Sequence, residues 1–279
     1  MKNKNTIGPS IHNVEPFFIS QFYQNSNKSI LYIGKDEREI SSMEQKIKWL
    51  LPDVEILLFK SWDQIPYDNV SPSKDVQIER LKTLKILFNS KAKRIILTTI
   101  NSITQKIIPR SIINSQFLKI SKKQKFKLED LINNLVLLGF QRTSLVRDKS
   151  EFSVRGSILD IFPNDRSKPI RIDFFDEEIE TIFEFDPITQ KRLKEINSDL
   201  EFNIINELIL NENNLNLFRK NFREIFPEYR NSQVYNLFSE NIIPSGGEQF
   251  LPLFYDNLET LFDYICLLYT SDAADERRC

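Results

Sequence analysis

The chain has one glycine–lysine pair, Gly34-Lys35, and it lies between an apolar run, Ser29–Ile33, and a helical pattern that begins near Glu37. That is where a nucleotide-binding protein keeps its phosphate loop. Such a loop reads G-x-x-x-x-G-K-[ST], because glycine backbone wraps the phosphates while lysine and a hydroxyl serve charge and magnesium. Here Ser29 stands at the first glycine position and Asp36 at the hydroxyl position, where a carboxylate repels phosphate. With 6 glycines in 279 residues there is no second candidate, so the chain is expected to be no enzyme and to hold no cofactor or metal. His12 is the only histidine, which leaves no Ser-His-Asp arrangement and no histidine metal site; it reads as a surface or packing residue. Asp173, Asp176, Glu177 and Glu178 cluster, but paired carboxylates need a cleft as well as proximity, and a solvated hairpin is the simpler reading.

Two other segments carry more. In Ile170–Phe175, alternation puts Ile170, Ile172 and Phe174 on one face and Arg171, Asp173 and Phe175 on the other. In the run from Glu151 to Pro163, Phe152 and Val154 oppose Ser153 and Arg155, and Gly156 permits a bulge or close backbone approach. Two arginines and a phenylalanine off the core face have the composition of an interaction hot spot. The pattern alone equally admits a plainer arrangement. Phe175 would lie under another element, and the arginines would pair with nearby acids.

The elements that must position these residues fall into three stretches. The first alternates strand and helix: strands at Ser29–Ile33, Val54–Phe59 and Arg94–Thr99, and helices over about 37–50 and 75–88. Ile40, Met43, Ile47 and Leu50 share one helix face, Leu81, Leu84 and Phe88 the other's, and Asp36 with Glu39 can form a capping box. Three apolar runs separated by helices predict a parallel sheet. After a charged break at Ser121–Lys125, an amphipathic helix carries Leu128, Leu131, Ile132, Leu135 and Leu138 and ends at Gly139, a left-handed cap position. Strands follow at about 142–146, 152–162, 170–175 and 179–185, the last two joined by a polar hairpin. From about Asn206 the pattern is helical, broken by Pro227 and Pro244-Ser245-Gly246-Gly247.

The segment EFSVRGSILDIFP, then IRIDFFDEEIETIFEFDP and Thr189-Gln190-Lys191-Arg192, resembles the UvrB-homology domain shared by UvrB and the transcription-repair coupling factors (Mfd). The run from Ser61 through Tyr67 to Ser73, and the run from Ile243 to Phe254, are similar to the coupling-factor branch. The resemblance implies an α/β architecture. A degenerate RecA/helicase-like parallel-sheet domain (1–117 and an incomplete 204–265) would be split around a small α+β insert (118–203). It implies an adaptor that recruits UvrA to stalled RNA polymerase in nucleotide excision repair, with Arg155, Arg171 and Phe175 as the UvrA-binding residues. RNA polymerase, DNA, ATP and magnesium would be handled by other parts of the parent, an ATP-driven DNA translocase whose regulatory domain masks the UvrA surface. Ser157 departs from the family, where glycine or another small residue is common. The alternatives are a DNA-binding module and a cryptic nucleotide-binding helicase-like module.

Composition fits the adaptor. Acidic and basic residues nearly cancel to a net charge of −1, which gives no basic field for gripping a phosphate backbone. Met1–Ser10 has no apolar core for a secretory signal, and no apolar run reaches the ~18 residues needed to cross a bilayer, so a cytoplasmic location without membrane contact is expected. The stretch Cys266–Cys279 reads as translated sequencing adapter; set aside as an artefactual tail, it takes both cysteines with it.

Overall fold

A computed structural model describes residues 14–66 and 68–266. Met1–Ser10, His12, Tyr67, the tail as far as Cys279 and the side chain of Cys266 lie outside the described residues. In chain order the elements begin with α1 (Glu15–Asn25), β1 (Ile30–Gly34), α2 (Glu37–Leu50), β2 (Ile56–Phe59), α3 (Lys74–Asn89), β3 (Ile95–Thr99) and α4 (Ile100–Thr104). They continue with α5 (Arg110–Ser115), β4 (Phe117–Ile120), α6 (Leu128–Leu137), β5 (Gln141–Arg142), β6 (Glu151–Arg155), β7 (Ile158–Ile161), β8 (Ile170–Phe175) and β9 (Glu178–Phe185). The last are β10 (Arg192–Glu195), β11 (Leu200–Asn203), α7 (Glu212–Ile225), α8 (Gln233–Ser239) and α9 (Leu261–Cys266). Contacts divide the described residues into two units, one of residues 14–63, 82–106 and 260–266, the other drawn from 64–81 and 107–259. No described helix is long and apolar enough to cross a membrane.

The first unit is built on a parallel sheet of order β1-β3-β2. Its central strand β3 is buried along its whole length, as expected of a strand with neighbours on both sides. Ile40, Met43 and Ile47 of α2 pack against Ile95 and Leu97 as the helical spacing predicts, while Leu50 at the helix end stays half-buried outside that cluster. On α3 the buried stripe runs through Leu84 to Leu87, and Phe88 stays half-buried, a small correction to the expected face. Helix α1, rich in exposed phenylalanine, was not foreseen.

The second unit holds a six-stranded sheet of order β10-β9-β8-β7-β6-β5, antiparallel except for the short β5–β6 pair, and a two-stranded antiparallel pair, β4 with β11. The run 152–162, expected as one strand, is a hairpin. Gly156 takes φ 61°, and with Ser157 it turns β6 back as β7, pairing Arg155 with Ile158 and Ser153 with Asp160. The left-handed region is open to glycine without a Cβ penalty, so the predicted irregularity became a two-residue turn. The expected strand 142–146 shortens to Gln141–Arg142, and Val146 instead joins a small apolar cluster with Phe162, Phe183 and Phe185. Helix α6 closes as expected. Gly139 at φ 95° lets Phe140 N–H reach the Leu135 carbonyl and Gly139 N–H the Val136 carbonyl, the paired bonds of a left-handed helix end.

Candidate partner-docking surface

At the broken phosphate-loop position, Asp36 caps α2 by accepting the Glu39 amide at 2.9 Å. The expected capping box is half formed. Glu39 turns not to the Asp36 amide but to that of Lys35 at 3.2 Å and to the Tyr32 hydroxyl. Two carboxylates therefore sit where a nucleotide phosphate would need positive potential. Hydrogen bonding to Glu39, after burial, pushes the Tyr32 phenol well above its usual range, so it remains a donor.

The face of the six-stranded sheet that carries Arg155, Arg171 and Phe175 is set by strand pairing. Asp160 on β7 lies opposite Ser153 on β6 and Arg171 on β8, and Asp173 lies opposite Thr181 on β9. Then the register shifts: Phe174 pairs with Ile179, leaving Glu180 as the extra residue of a bulge. The bulge keeps Phe174 and Ile179 buried while Phe175 emerges at the strand end, 74% exposed, beside a turn in which Asp176 has φ 56°. That hairpin is anchored by the charged break read as a domain boundary. Lys123 N–H donates to the Ile179 carbonyl, Ile179 N–H to Gln124 and Phe126 N–H to Glu177, at 2.8, 3.0 and 2.7 Å.

Asp160 is the centre of the face. Its side chain, 1% exposed, accepts Arg155 Nη2 at 2.7 Å, Arg171 Nε at 2.5 Å and Arg171 Nη2 at 2.8 Å. Arg171 Nη2 also donates to Gln190 Oε1 at 2.8 Å, and its guanidinium lies 4.6 Å from the Phe185 ring centroid. Hydrogen bonding to Asp160 raises the Arg171 pKa further above its already high value, so it is permanently charged. The two arginines differ in access: the Arg155 side chain is 47% exposed and that of Arg171 14%. At the sheet edge Arg192 donates to Asp173 Oδ2 at 2.5 Å and stacks 3.7 Å from the Phe183 centroid.

Each of the two arrangements open at sequence level is thus half realised. Phe175 is uncovered, and both arginines pair with an acid. The acid is Asp160, not the Asp173–Glu178 group, whose Asp173 instead takes Arg192 and the Thr181 hydroxyl. Arg171 is not turned fully outward as expected, because Asp160, Gln190 and Phe185 hold it down. Asp160 had no role in the sequence reading. In a single strand over 152–162 it shares the face of Phe152; only the two-residue turn moves it to the face of Ser153. Gly156 followed by a small polar residue was the signal for that turn.

The UvrB interaction domain family matches residues 118–201. A transcription-repair-coupling factor of Haemophilus influenzae is 30% identical over 263 residues, 93% of this chain and 22% of the relative. That of Rickettsia bellii is 31% identical over 89% of this chain and 22% of the relative. The factor of Escherichia coli is 30% identical over 76% and 18%. The chain therefore spans about a fifth of the length of these curated relatives. Together the matches support an N-terminal module of a transcription-repair-coupling factor, a region that is not itself the translocase domain.

Proposed function

We propose that this module docks UvrA through the face bearing Arg155, Arg171 and Phe175, and so couples a stalled RNA polymerase to excision repair through other parts of the parent protein. One observation carries the reading. On a UvrB interaction domain, a phenylalanine 74% exposed stands on the same sheet face as a partly exposed arginine cluster. Large exposed aromatics beside arginine mark interfaces, because the ring supplies apolar area and the guanidinium a directional charge. Phe175 fills an apolar pocket on UvrA, worth ~1.5–3 kcal/mol. The arginine cluster meets UvrA carboxylates and sets orientation and on-rate.

On the same reading, the parallel sheet with its glycine–lysine turn is a degenerate helicase-like domain interrupted by the insert. ATP, magnesium and DNA belong to the translocase part of the parent. The test is a titration of the chain with purified UvrA. Arg155→Glu is expected to weaken binding by at least ~1.4 kcal/mol, a tenfold change. Arg155→Glu is the cleaner probe than Arg171→Glu, which would set a second carboxylate against buried Asp160. Undiminished affinity in Arg155→Glu and Phe175→Ala alike would refute the reading.

A further inference from the structure

We infer that Asp160 is the positioning residue of this surface and that it divides the work of the two guanidiniums, holding Arg171 in place and presenting Arg155 to the partner. The inference rests on the docking reading above and adds to it which charge meets the partner's acid and what aims it. Asp160 lies on a strand with neighbours on both sides. It is directly opposite Arg171 and diagonal to Arg155, which pairs with Ile158 two residues away. Diagonal neighbours across a sheet are within reach of long side chains. A short carboxylate in that position can therefore serve both arginines without leaving its own strand.

Donor accounting separates the two. A guanidinium has five N–H groups. Arg171 commits Nε and both hydrogens of Nη2, to Asp160 twice and to Gln190 once, and its plane lies against Phe185. Among the described residues Arg155 commits only Nη2 and is 47% exposed, so its Nε and Nη1 hydrogens remain available to a second carboxylate. Two guanidiniums share one carboxylate, which leaves the cluster net positive although every member is paired. An acidic side chain on the partner completes the charge balance at Arg155 without displacing Asp160. Because the inner edge of Arg155 is already pinned, docking freezes fewer rotamers than it would for a free arginine, the general advantage of preorganisation.

The experiment is UvrA titration of the whole chain carrying Asp160→Asn, alone and combined with Arg155→Ala, with Arg192→Ala as a third variant in both backgrounds. Asp160→Asn is expected to lower affinity about tenfold. Arg155→Ala, costly in the parent, is expected to cost less than about threefold once Asp160 is neutralised, because the two act as one unit. Arg192, which pairs with Asp173 instead, is expected to cost the same in both backgrounds. Parent-like affinity in Asp160→Asn, or fully independent effects of Asp160→Asn and Arg155→Ala, would overturn the inference. Phe175→Ala touches none of these bonds and separates the two levels: if it too binds like the parent, the docking reading fails; if it weakens binding while Asp160→Asn does not, only the role of Asp160 fails. Should Asp160→Asn not fold, Arg155→Lys and Arg171→Lys decide the matter. The first is expected to lose affinity at an unchanged melting temperature and the second to lower the melting temperature; equal melting shifts would overturn the division of labour.

Discussion

Two arginine–carboxylate clusters in the second unit look alike as contacts and differ in exposure. Arg80 on α3 donates through Nε to Glu207 Oε1 at 2.7 Å, and both side chains are 0% exposed. The same buried region contains Gln77, which donates to the Pro72 carbonyl and to Glu248, and Tyr255, whose hydroxyl donates to the Glu207 carbonyl. In the other cluster the acid, Asp160, is equally buried, but Arg155 reaches solvent. The Arg80–Glu207 and Arg155–Asp160 bonds have the same length, 2.7 Å. What would separate a structural clamp from the proposed docking surface is whether the guanidinium reaches solvent. A buried pair broken on one side strands a charge; a half-exposed arginine keeps donors in reserve for a partner.

The contrast can be broken by experiment. Arg80→Ala removes the buried guanidinium from the Glu207 carboxylate and is expected to cost ~3–5 kcal/mol of unfolding free energy in urea titration. A loss below about 1 kcal/mol would make the buried pair no more structural than a surface one. Arg171→Ala strips Asp160 of its two-point partner and is expected to cost ~1–3 kcal/mol of stability, with weaker UvrA binding in addition. A stable variant that binds poorly would instead place Arg171 at the partner itself. Phe175→Ser is the smallest of the stability effects, within about 0.5 kcal/mol of the parent because the ring is already in water; a larger loss would mean the ring is packed.

A pH series sharpens the same comparison from the buried side. Burial first, with Glu207 nearby, raises the Glu248 pKa, partly offset by hydrogen bonds from Ser71 and Gln77. Because the folded value lies above the unfolded one, its contribution is whole below the ordinary glutamate pKa and is lost as pH rises through the folded value. The parent is therefore expected to lose melting temperature relative to Glu248→Gln as pH climbs above that ordinary range. Parallel curves would show that Glu248 does not titrate in isolation from solvent.

Much of this molecule was legible in the chain alone. The parallel three-stranded sheet, most of the α2 and α6 faces, the cap at Gly139 and the Phe174-in, Phe175-out alternation are as read, while Leu50, Leu128 and Ile132 stay half-buried. Local spacing suffices there because a helix or strand sends each side chain to a face determined only by its neighbours in sequence. The misreadings occur where a turn or a distant strand intervenes. Glu39 abandoned half of its capping box for Tyr32, seven residues back on β1. Asp160 changed faces because two residues at Gly156-Ser157 reversed the chain, and its two arginines come from strands on either side of its own. Residue types and alternation thus determined that arginine and phenylalanine would stand off the core. Only the tertiary structure decided which arginine keeps the greater exposure, since that depends on strand register and on an acid brought alongside by pairing, and no local pattern encodes either.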